Sequence, residues 1–276
     1  DLTDTDGLTL TAVSTGGNAS FRTTGADLVL NSTPDVDGAL TLATVGSGDV
    51  VIPNGGLQHT DELTITADNL RDSDADLRLS ATTANITLRN GGAQARTWST
   101  DFDELVVAIT GTGDLNLTND NALILSSITT GGNASIATQS GGLTLGTGTI
   151  GGNASFTAAD GDLEFINAPT FSGDLSLTAN SGAVIVDDTG LTVSGDLTID
   201  AEDLRDSDAD VTLEAATANI TLSAAGSQAR TWTTTFDELV LDITGTGDFE
   251  LTNTGDLTLT SVTTGGNASF STNGDL

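Results

Sequence analysis

"GGNASIATQSGGLTLGTGTIGGNASF", residues 131–156, carries the phrase GGNAS twice, at Gly131 and Gly151, 20 residues apart. The phrase also occurs at Gly16 and Gly265. The copy at Gly16 has a composite context. The residues before it resemble those before Gly131, and the residues after it resemble those after Gly151. Copies of the surrounding sequence therefore differ by one 20-residue block. A sandwich or closed barrel would lose strand pairing and closure at such a step. A solenoid can gain or lose a complete coil, because each coil touches only its neighbours.

A longer repeat encloses this one. "QARTWSTDFDELVVAITGTGDLNL" from Gln94 returns from Gln228 as "QARTWTTTFDELVLDITGTGDFEL", identical at 18 of 24 positions and offset by 134. Residues 70–136 thus have a second copy at 204–270. Within the copies, triplets with apolar ends recur about every ten residues, among them LTL at Leu8, LVL at Leu28, LTI at Leu63, ITL at Ile86 and LSL at Leu175. Alternation of period two, punctuated by GD, GG, NG and TG, marks strands with one buried face. No segment shows a capped 3.6-residue apolar stripe.

The expected fold is all-β: a parallel β-helix solenoid running continuously over residues 1–276, with about 20 residues per coil and about 14 coils. Leu, Ile, Val and Phe fill its interior. In GGNAS the glycines are expected at a corner with positive φ. The Asn amide should bond the neighbouring coil, and Ala-Ser-Phe should open a strand with its Phe or Ile inward. The sequence stops at "NGDL", a phrase that elsewhere runs on into a strand ("SGDLTID"), and is read as a window of a longer repeat protein.

Thirty-nine acidic residues face seven arginines, there is no lysine, and the formal net charge is −32. That field repels nucleic acid and anionic membrane. No apolar run is long enough to span a bilayer. With 37% hydrophobic residues the chain has the means to fold, and with no cysteine it has neither disulfides nor thiolate metal sites.

The GGNASF…NGDLTL-type coils resemble those of filamentous haemagglutinin-like exoproteins of bacteria, including two-partner-secreted adhesins and related giant β-strand-repeat proteins. The resemblance spans nearly the whole sequence and rests on pattern and composition. It implies a right-handed β-helix in an extracellular, secreted or cell-surface protein that holds adhesive or toxic modules away from a cell. Neither the family's amino-terminal secretion domain nor a carboxy-terminal effector is recognisable.

Four features are candidates for chemistry. "RDSDAD" places Asp72, Asp74 and Asp76, and again Asp206, Asp208 and Asp210, at the alternate spacing of calcium-loop ligands. Strand alternation counted from Leu77 gives the other reading, aspartates on a solvated outer face. Arg96 with Trp98, repeated as Arg230 with Trp232, forms either an outward glycan-stacking patch or a core plug. The single histidine, His59, aligns with Val193 and so sits where an apolar residue is expected; general-base chemistry with Asp61 and Glu62 is the alternative. Eight N-x-S/T sequons are by-products of a composition rich in Asn, Thr and Ser.

The expected function is structural and non-catalytic: a stalk or filament segment of an adhesin-like protein, with no required cofactor. A glycan-binding β-helix is the alternative, and a polysaccharide-degrading one a more distant alternative. Partners expected are further copies, joined end to end or laterally through outward Val29, Val51, Ile124 and Ile185, and surface glycans through the tryptophans.

Overall fold

A computed structural model describes residues 1–72, 77–90, 97–206, 210–223 and 230–276, with backbone alone for residues 210 and 230. The described residues form parallel strands joined by turns, and no helix among them is long and apolar enough to cross a membrane. The fold is a β-solenoid of about 12 turns with roughly 21 residues per turn. The expected all-β parallel solenoid is borne out, with about 12 turns in place of about 14 and turns about one residue longer than expected. The spacing at Gly131 samples one of the shorter turns.

Two compact units divide the chain, Asp1–Ile136 and Ala137–Leu276. In the first, register partners run Leu2, Phe21, Leu42, Ile65, Ile86, Val107 and Ile128. Every member after Leu2 is buried. The strand Glu62–Ala67 shows why. Leu63, Ile65 and Ala67 point into the core, while Thr64 and Thr66 lie half-exposed between them. Each such Leu or Ile contributes about 1.5–3 kcal/mol on burial. A second ladder joins Leu8–Leu10, Leu28–Leu30, Val50–Val51 and Leu70–Arg71. A third runs Leu57, Leu79, Thr100 and Asn119.

The second unit repeats this plan. Its longest column is Phe156, Leu177, Ile199, Ile220, Leu241 and Val262. Another joins Val211, Trp232, Leu251 and Phe270. Its rings meet edge-on, Trp232 against Phe249 with centroids 4.8 Å apart and Phe156 against Phe171 at 6.3 Å. Both units carry the same irregularity. An extra residue, Ser126 in one and Thr260 in the other, interrupts the register beside Leu105 and Leu239. Its hydroxyl donates to Glu104 or Glu238 at 2.5 Å.

The corners follow a different rule from the one expected. The glycine pairs at Gly16, Gly131 and Gly265 do not adopt positive φ. What the corners need is space, because an Asn or Asp side chain of one turn lies over the backbone of the next. Asn18 Oδ1 accepts the Ala39 N–H at 3.1 Å, Asn153 Oδ1 accepts that of Asp174 at 3.0 Å, and Asp174 Oδ1 accepts that of Asp196 at 3.1 Å. A Cβ on Gly38 or Gly173 would overlap the Asn18 or Asn153 oxygen. The Ala-Ser-Phe or Ala-Ser-Ile strands that come next turn their large residue inward, with Phe21, Ile136 and Phe156 all buried.

Candidate functional site

In both units, polar side chains bond one turn to the next. In the first unit the ladder between the strands Thr97–Ile109 and Leu115–Asn119 ends at Thr100–Asn119, and pairing with the next strand resumes at Glu104–Ile124. The N–H and C=O of Phe102 fall in that gap, at a residue with no exposed surface. The buried Asn119 amide fills it. Its Oδ1 accepts from the Phe102 N–H at 2.9 Å and from Thr100 Oγ1 at 2.8 Å, and its Nδ2 donates to the Phe102 and Asn121 carbonyls at 3.0 Å. Asn253 does the same for Phe236 and Thr234 in the second unit.

Arginines form a second kind of brace. Arg71 pairs with Asp49 at 2.8 Å, one turn away, and with Asp27 at 2.7 Å, two turns away. Arg89 pairs with Asp68 at 3.0 Å and also donates to the Gly46 carbonyl at 2.9 Å. Arg205 reaches Asp162 at 3.4 Å. These groups are partly exposed, so each pair contributes at most about 1 kcal/mol. Their geometry is cross-turn positioning.

The residues singled out from sequence fall in unlike places. Trp98 and Trp232 are both buried, 4% and 0% exposed. The outward stacking patch is therefore corrected to the core plug. Each indole lies on the inward parity of its strand, next to an outward Thr97 or Thr231, and offers no ring face to a sugar. Arg96 and the Arg230 side chain lie outside the described residues. Asp72 and Asp206 are buried, 6% and 9% exposed, so neither is on a solvated outer face. They continue the in–out alternation of the strand before them (Leu70 in, Arg71 out), and the parity counted back from Leu77 does not hold at Asp72. Asp74, Asp76, Asp208 and the Asp210 side chain lie outside the described residues. No group of three or more His, Asp or Glu able to hold a metal ion occurs among the described residues. His59 is 4% exposed, at the apolar position its alignment with the equally buried Val193 indicates. The proposed lateral seam is not one stripe. Val29 and Val51 are ladder partners, but Ile124 belongs to a different ladder.

Open concavities occur in both units: one of about 330 Å³ in the second, beside Thr231, Asp248, Glu250, Asn267 and Ser269, and a groove of about 340 Å³ over the third ladder of the first. Gln58, Arg78, Ser80, Ser99, Asp101 and Asp120 line it from outward positions. Sequence reading missed the groove, because a concavity depends on corner geometry. Gly56, at φ +84°, brings the preceding turn against the Arg78 backbone there.

No family model, curated protein or solved structure matches this chain.

Proposed function

We propose that the chain is a structural, non-catalytic spacer: a stalk or filament segment of a large secreted or cell-surface protein of the filamentous haemagglutinin-like, adhesin type. One observation carries this reading. The two copies use the same polar residues for the same task, bonding one turn to the next, as Asn119 and Asn253 do at their ladder gaps and Glu104 and Glu238 at their bulges. Selection that preserves turn-to-turn geometry twice suits a part whose product is shape. Growth by whole turns suits it equally, since stability in such arrays is a sum of repeat and interface terms.

The test is the native polypeptide in its source cells. Intact-mass measurement should return a chain several times longer than 276 residues containing further copies of the 134-residue unit, and antibodies to this segment should label unpermeabilised cells or the medium. A polypeptide near this size, found only after permeabilisation, would overturn the proposal.

A further inference from the structure

We propose that the groove around Arg78 is a binding subsite for a neutral oligosaccharide, present in the first unit alone. The proposal is independent of the spacer reading and starts from how the two copies differ. At the offset of 134, every outward lining residue is changed: Gln58 to Thr192, Arg78 to Thr212, Ser80 to Glu214, Ser99 to Thr233, Asp101 to Thr235 and Asp120 to Thr254. The inward residues between them are identical in both copies: Leu79 and Leu213, Trp98 and Trp232, Thr100 and Thr234, Asn119 and Asn253. The neighbouring ladder is mixed: Asn85, Thr87, Asp103 and Glu104 return as Asn219, Thr221, Asp237 and Glu238, whereas Thr66 and Ala108 become Asp200 and Asp242.

The chemistry of the lining selects the ligand class. Gln58, Ser80 and Asp101 are successive register partners in one row, and Arg78 and Ser99 are partners in the adjacent row. Strands about 4.8 Å apart, with same-face residues roughly 6.6 Å apart along each, make this a grid of donors and acceptors. Arg71, Arg89 and Arg205 are held in ion pairs, whereas no ion pair among the described residues involves Arg78. Asp101 accepts one hydrogen bond, from Asn121 Nδ2 at 2.8 Å, and keeps acceptor capacity toward the groove. A sugar hydroxyl accepts from a guanidinium and donates to a carboxylate, so vicinal hydroxyls suit a lining that presents both together with amide and hydroxyl groups. A polyanionic chain would meet the field of a protein with net charge −32, which selects for an uncharged one.

The second copy supplies substitutions that the fold already accommodates: Arg78→Thr and Asp101→Thr install the residues of Thr212 and Thr235. The 276-residue chain and each variant are run in native gels containing dextran, galactomannan or laminarin, with polygalacturonate as the acidic probe, and mobility is normalised to a gel without polysaccharide. Retardation of the parent by at least one neutral polysaccharide, weakened about tenfold or more in both variants, is the expected result. Absence of retardation in all three neutral gels, or equal retardation of parent and variants, overturns the subsite. Retardation by polygalacturonate alone overturns the neutral class, leaving Arg78 as an anion contact.

Discussion

Replacing Asn119 by Ala isolates the contribution of one buried amide. The substitution removes the acceptor for the Phe102 N–H and a donor to the Phe102 carbonyl, at a residue with no exposed surface. Each orphaned group costs about 1–3 kcal/mol, so the sum is roughly 2–6 kcal/mol. At a urea m-value of about 3 kcal/mol/M, the midpoint of the affected unit falls by on the order of 1 M. In a Trp232→Phe background Trp98 is the only indole, and it lies in the same strand as Phe102, so its fluorescence reports the transition locally. Asn119→Asp keeps the acceptor but sets a carboxylate against the Phe102 carbonyl, and should do at least as much damage. Asn116→Ala, three residues away on the exposed face, should stay within about 0.5 kcal/mol. An Asn119→Ala midpoint within about 0.2 M of the parent would refute the idea that the amide replaces a missing piece of ladder.

Three further outcomes are expected. Gly173→Ala should destabilise by about 1–3 kcal/mol through overlap with Asn153, while Gly17→Ala, whose Cβ would meet nothing within 4 Å, should be nearly neutral; thermal melts of the two compare them. Trp98→Ala should cost about 3–5 kcal/mol in urea unfolding as a core deletion, where a surface tryptophan would cost almost nothing. Arg71→Gln should lower stability by no more than about 1 kcal/mol, and the difference from the parent should shrink as salt rises toward 1 M, since Arg71 and Asp27 are about 40% exposed.

The all-β parallel solenoid was legible because it is written redundantly: Leu63–Ile65 and Ile86 report the same buried face in successive turns, and a misread at one is corrected by the next. Trp98 was harder because the in–out alternation shifts between Phe102 and Leu105 within one strand, and Asp72 because the parity counted back from Leu77 does not hold at that residue. The GGNAS glycines were read as positive-φ corners, which those at Gly16, Gly131 and Gly265 are not. The constraint on Gly38 comes from Asn18, 20 residues earlier and one turn away, which no local rule about φ contains. Asn119 was invisible for the same cause, its partners at Thr100 and Phe102 being set by stacking register. The glycan reading attached to the aromatic residues, whereas the groove is built from Arg, Gln, Ser and Asp side chains that look like ordinary strand surface one at a time.

The arginine braces give a mechanical property to a fold otherwise joined one layer at a time. A solenoid peeled from an end opens like a zipper, each turn loading only its own contacts and yielding roughly 70 Å of slack per 21 residues. Arg71, gripping Asp49 and Asp27 together, ties a layer to the one beyond its neighbour, and Arg89 does so through Asp68 and Gly46. Under tension the strap must let go before the layer beneath can follow. Extension of the first unit should therefore show a small added resistance at these arginines, on the order of the 1 kcal/mol each pair contributes, superimposed on the layer-by-layer signal.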